Sequence, residues 1–158
     1  MLKKSSALIA SLILILFTTS CGSRYVRTDE EIRQVIQKEL IQDTEVEIID
    51  SIHREDTLLV IYRYASEYAI AEFEEKDSRY SFKFSSEMYD RGTDLRSAPL
   101  SDAYLFLVNN ENCTSLQIIQ DGTENLIEVT DLPFVYIDEN YGNIEYYYLD
   151  RNGNTLDP

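Results

Sequence analysis

The chain has 158 residues, room for one ordinary domain and not comfortably two. Hydrophobic residues make up 44% and charged residues 27%, with 12 Tyr and 6 Phe, which fills a core and excludes disorder as the main state. Acidic residues outnumber basic ones 29 to 14, and a surface of that sign repels phosphate backbones, so nucleic acid is excluded as a partner.

Residues 1–20 read as a secretory signal peptide. Lys3 and Lys4 give a positive start, Ala7 to Phe17 is apolar apart from Ser11, and Thr18, Thr19 and Ser20 are small. As a helix the apolar stretch rises about 16 Å, short of a hydrocarbon core of about 30 Å, so a spanning helix is the weaker reading. The run Thr18-Thr19-Ser20-Cys21-Gly22 resembles a bacterial lipobox, with Thr18 standing where an aliphatic residue is usual. The resemblance implies cleavage before Cys21 and a diacylglyceryl group on its thiol, holding the chain at the extracytoplasmic face of the cell membrane. Each buried acyl CH₂ contributes about 0.8 kcal/mol, and two chains anchor stably where one does not. Cleavage removes two lysines and no acid, leaving 12 basic against 29 acidic residues. Lipid on Cys21 leaves no second thiol for an intrachain disulfide, and Cys113 reads as a buried small hydrophobe.

Residues 21–27 then form the lipidated Cys and a tether, and 28–158 a single β-rich extracytoplasmic domain. Thr28 with Glu31 reads as a capping box. Ile32, Val35, Ile36 and Leu40 recur at helical spacing, predicting an N-terminal amphipathic helix that docks on its own sheet. After Gln42 the period falls to two. Strands are predicted from Val46, over Leu58–Tyr64, over Tyr68–Phe73, and over Tyr80–Phe84, where Tyr80, Phe82 and Phe84 share one face. Polar turns separate them at Arg54-Glu55-Asp56, Ser66-Glu67 and Lys76-Asp77-Ser78. Met88 to Asp102 reads as a long loop, either functional or a crossover between sheets. Strands resume at Tyr104–Val108, Ser115–Ile119, Leu126–Val129, Pro133–Ile137 and Ile144–Leu149, and Asn152-Gly153 predicts a two-residue hairpin turn. The fold class is mainly β (α+β): one helix followed by about nine antiparallel strands, as a sandwich or a strongly bent sheet.

No nucleophile elbow, Walker loop, Rossmann glycine set or metalloprotease helix is present, and no catalytic residue, cofactor or metal is expected. Asp150-Arg151-Asn152-Gly153-Asn154 alternates side-chain oxygens as calcium loops do, but its Gly is misplaced and a tight turn explains it. Acidic pairs such as Glu74-Glu75 and Asp138-Glu139 read as solvated edges, and His53 as a turn residue. Tyr146, Tyr147 and Tyr148 are the candidate ligand contacts. In a strand Tyr146 and Tyr148 face one side and Tyr147 the other, which leaves at least one phenol for a ligand.

The run Leu58–Phe73 (LLVIYRYASEYAIAEF) and the ending Tyr148–Leu156 (YLDRNGNTL) resemble a group of small, uncharacterised lipoproteins of low-GC Gram-positive bacteria. The resemblance covers most of residues 45–156 and brings no activity with it. The expected function is a non-enzymatic binding or accessory module of the cell envelope, its ligand a protein or carbohydrate. An envelope hydrolase with paired carboxylates and a structural subunit of an envelope complex are the alternatives.

Overall fold

A computed structural model describes residues 25–40, 44–140 and 142–156; Cys21 and the signal segment lie outside them. The described residues form one helix and twelve strands, and every strand pair is antiparallel. The three strands beyond the expected nine are β1 (Tyr25–Val26), β6 (Tyr89–Asp90) and β7 (Leu95–Pro99). Two of them are two residues long, too short for a period to register. The segment read as a tether to Arg27 thus gives Tyr25 and Val26 to a sheet.

Helix α1 (Asp29–Leu40) begins at a reciprocal cap. Thr28 Oγ1 accepts from the Glu31 N–H at 3.3 Å, and Glu31 Oε2 accepts from the N–H groups of Thr28 (3.3 Å) and Arg27 (2.7 Å). Asp29, Glu30 and Glu31 sit at the positive end of the helix dipole and Lys38 at the negative end. The helix crosses one face of sheet A, whose strand order is β1-β5-β4-β3-β2. It leaves β1 at one edge and enters β2 (Val46–Arg54) at the other. The meander β3 (Thr57–Tyr64), β4 (Glu67–Lys76) and β5 (Arg79–Glu87) then returns to pair with β1.

Beyond sheet A lie two smaller sheets. Sheet B orders β11 (Phe134–Asp138), β8 (Tyr104–Val108), β7 and β6; sheet C orders β10 (Thr123–Glu128), β9 (Ser115–Gln120) and β12 (Ile144–Leu149). Three apolar clusters join the elements into four layers. Ile32 and Ile36 of α1 pack with Leu58, Val60, Tyr62, Ala71 and Phe73 of sheet A. The opposite face of sheet A, with Leu59, Ile61 and Ile70, packs on Ala98, Leu105 and Leu107 of sheet B. The far face of sheet B, with Leu95, Phe106 and Val108, packs on Leu116, Ile118 and Tyr148 of sheet C. Strands β3 and β8 are buried on both faces, which is why LLVIY and LFLV are continuous apolar runs and not alternating ones.

Two bulges bend sheet A. One falls in β2 between Ile48 and Asp50, and one in β5 opposite the Glu72–Phe73 step. The second overturns the expected shared face of Tyr80, Phe82 and Phe84. Phe82 lies opposite Phe73 and packs in the helix-side cluster, with ring centroids 5.6 Å apart. Lys83 is the extra residue, so Phe84 falls opposite Glu72 and is 51% exposed.

The expected loop from Met88 to Asp102 is a crossover that carries β6 and β7 into sheet B. The first two turns of the meander also shift: Glu55-Asp56 and Ala65-Ser66 are the residues between paired strands. Asp77-Ser78 and Asp121-Gly122 are two-residue turns with positive φ at both positions, as a type I′ hairpin requires. The ending differs from the expected Asn-Gly hairpin. Leu149 bridges Thr155, and Asp150 to Gly153 forms the turn, closed by the Gly153 N–H on the Asp150 carbonyl at 3.0 Å.

Candidate functional site

Sheet C is the last layer of the stack, and its outward face is the candidate site. Alternation along each strand sends Leu116, Ile118, Tyr146 and Tyr148 inward, so Gln117 and Ile119 of β9 point out. The register sets Leu126, Gln117 and Tyr147 in one row across the face, and Glu124, Ile119 and Glu145 in the next. With strands about 4.8 Å apart, each row is about 10 Å wide. Leu126 is 62% exposed, the largest exposure among the big hydrophobic residues described. Gln117 donates to the Glu124 carboxylate, while Glu128 and Glu145 enter no ion pair among the described residues. The face thus mixes the apolar Leu126, Ile119 and Tyr147 with Gln117 and a margin of carboxylates, an arrangement suited to area contact and charge recognition.

The three candidate tyrosines divide between this face and the core. Tyr148 is fully buried, and its hydroxyl donates to the Arg96 carbonyl at 2.6 Å. Tyr146 packs edge-on against Phe106 at 4.9 Å and shares a 2.7 Å hydrogen bond with Ser97 Oγ. The Arg91 guanidinium lies over its ring at 5.0 Å. Both phenols are spent on joining sheet C to sheet B. Tyr147, half-buried on the opposite face, is the one in the row of Leu126, with Gln117 of β9 between them.

A second polar cluster sits where sheets A and B meet. Arg54, at the end of β2, donates to Asp102 at 3.0 Å and to Glu139 at 2.5 Å, over a cleft of about 540 Å³ that also reaches His53, Glu72 and Leu100. The guanidinium hydrogen bond holds the Asp102 carboxyl below its ordinary range. Glycosidase chemistry requires the reverse, one carboxyl kept protonated as the acid. Arg54 acts instead as a clamp between the β2–β3 turn and the ends of sheet B. His53 stands nearby on β2, mostly exposed, its Nδ1 3.7 Å from Glu75.

Sequence reasoning missed the polar network beneath β6 and β7. Arg96 lies on the sheet A side of β7, its side chain 7% exposed. Its Nη1 donates to Asp90 (2.8 Å) and to the carbonyls of Gly92 (2.7 Å) and Leu95 (2.8 Å), and the guanidinium lies 5.2 Å from the Tyr68 ring. Tyr68 donates to Asp94 and accepts from Asn109, both at 3.2 Å. The one sequence signal was an Arg amid Leu95, Ala98 and Leu100, where an unpaired charge is costly.

The alternating oxygens after β12 serve the turn. Asp150 accepts from the N–H groups of Asn152 (2.8 Å) and Asn154 (2.9 Å) and from the Asn154 amide (3.0 Å), which lowers its carboxyl to about 2. Cys113 is buried, with Sγ donating to the Ser115 carbonyl at 3.5 Å. Among the described residues no group of three or more His, Cys, Asp or Glu side chains is placed to hold a metal ion, and no helix is long and apolar enough to cross a membrane. No protein-family model, curated protein or solved structure matches the chain.

Proposed function

We propose that the chain is a lipid-anchored, extracytoplasmic binding module of the cell envelope that meets its partner through the outer face of sheet C. The observation that carries the reading is the exposed Leu126, aligned with Gln117 and Tyr147 and edged by Glu124, Glu128 and Glu145 on the outermost layer. Leu126, Ile119 and Tyr147 share that face as a patch rimmed by carboxylates, and such a patch marks a contact site where a single exposed residue does not. The signal segment and Cys21 supply the anchor. Cys21 is four residues from Tyr25 of β1, a reach of at most about 14 Å, so the domain rides close to the bilayer. Its acidity keeps it from sticking to anionic headgroups.

Neither alternative gains an observation of its own. The clamped Asp102 and Glu139 pair runs against a hydrolase, and among the described residues α1 packs Ile32 and Ile36 of its apolar stripe onto sheet A.

The test has two arms, both on the full chain expressed in cells able to make the lipid. Wild type is expected in the membrane fraction with an acylated N-terminal Cys21 peptide by mass spectrometry, and Cys21→Ala in the soluble fraction. A photoreactive residue at 126 or 147 is expected to trap an envelope component, while the same residue at the exposed helix position 39 traps none. An intact leader, an unmodified Cys21, or equal trapping at 39 and 126 would sink the proposal.

A further inference from the structure

Strand β10 is an edge: it pairs with β9 on one side and with nothing on the other among the described residues. All its residues but Ile127 are exposed, and it carries no Pro, no Lys and no bulge, the usual guards of an edge. Antiparallel pairing uses alternate residues, and two observations set the phase. The two-residue turn Asp121-Gly122 makes Gln120 and Thr123 a bonded pair, and the Val129 N–H bonds the Thr114 carbonyl at 3.0 Å. Thr123, Asn125 and Ile127 therefore bond inward to β9. The N–H and C=O groups of Glu124, Leu126 and Glu128 point out along the open edge, and the side chains of these same residues form the near margin of the outer face. The opposite edge of sheet C is occupied at its C-terminal end, where the Leu156 N–H takes the outward carbonyl of Tyr148 at 2.8 Å and Leu149 bridges Thr155.

We infer that β10 receives an extended segment of a partner protein by strand addition, and that the segment reads basic–x–apolar–x–basic. The inference rests on sheet C being the binding layer. An added antiparallel strand meets Leu126 at its centre and Glu124 and Glu128 two residues to either side, where Lys or Arg fits each carboxylate. The same arrangement rejects a second copy of this chain. Self-pairing about Leu126 sets Glu124 opposite Glu128 twice, and like charges directly opposite destabilise a sheet. The glutamates thus guard the edge against itself while leaving it open to a cationic strand.

The probe is a fluorescent peptide, Thr-Thr-Lys-Thr-Val-Thr-Lys-Thr-Thr, titrated with the full lipidated chain in neutral detergent and followed by anisotropy. Saturable binding is expected, weakened by salt and about tenfold poorer for the version with Glu in place of both Lys. Leu126→Pro removes the central outward N–H without touching the ladder to β9 and is expected to lose about tenfold, several times more than Leu126→Val, which keeps that N–H. Should the Pro variant fold poorly by circular dichroism, N-methylation of the peptide's central Val blocks the same edge from the other side and is expected to cost as much. Failure of the Lys peptide to bind overturns the inference, as does equal binding of the Lys and Glu peptides or indifference to both edge blocks. Photocrosslinks at 126 and 147 alongside a non-binding Lys peptide leave sheet C as the binding layer and reject the cationic strand alone.

Discussion

Arg96 shows how a single side chain fixes the geometry of a crossover. It is a buried cation whose guanidinium holds Asp90 of β6 and the carbonyls of Gly92 and Leu95, while its own carbonyl takes the Tyr148 hydroxyl from sheet C. Three layers thus meet on one residue. Asp90→Ala strands that charge and is expected to lower stability by about 1.5–3 kcal/mol, read as a shift of the urea midpoint with unchanged slope. Asp150 offers a test of pH. Its carboxyl sits at about 2 because the Asn154 side chain and main-chain N–H groups bond its charged form. With the folded value below the ordinary 3.8, the contribution is complete above 3.8 and is lost as pH falls through about 2. A carbon-13 titration is expected to place the Asp150 midpoint there, and Asn154→Ala to move it upward. A midpoint left unchanged by that substitution would show that the turn does not hold the charge.

Elements were legible where the pattern was long and illegible where one residue broke it. Leu58–Tyr64 and Tyr104–Val108 declare themselves as strands by β-branched and aromatic content. That each is covered on both sides follows only from the layers around it. Strands β1 and β6 have no period to read, and β7 hid behind the turn signals Gly92-Thr93-Asp94 and Pro99. One bulge residue, Lys83, was enough to turn Phe84 out of the face it was expected to share with Phe82. The site was half legible in the same way. Alternation correctly separates Tyr147 from Tyr146 and Tyr148, but Leu126 reads as ordinary strand material until its register and exposure are known. The turn at Asp77-Ser78 yields a prediction of its own. Both residues sit at positive φ, 53° and 56°, which costs a residue with a Cβ more than it costs glycine. Ser78→Gly is expected to raise stability by about 0.5–1 kcal/mol, and thermal unfolding measures it.

Across the whole molecule, charge and layering act together. With 29 acids against at most 14 basic residues, the folded surface repels itself, and added salt screens that repulsion. Raising sodium chloride from about 0.05 to 0.5 M is expected to lift Tm by about 2–4 °C, the shift that about 1 kcal/mol makes in a chain of this size. A flat or falling Tm would mean that surface ion pairs such as Arg63–Glu47 and Lys83–Glu74 outweigh the excess. The order of the layers also follows the order of the chain. Helix α1 and all of sheet A are complete by Glu87, before any strand of sheet B has been made. Sheets B and C are interleaved, because β9 and β10 come between β8 and its neighbour β11, while β12 waits until last. A chain that emerges from its N-terminus first therefore completes a helix-backed sheet whose second apolar face, with Leu59, Ile61 and Ile70, still waits for its cover. Its second half then settles onto that face as one unit, with β12, the last of the described strands, locking sheet C in place like a keystone.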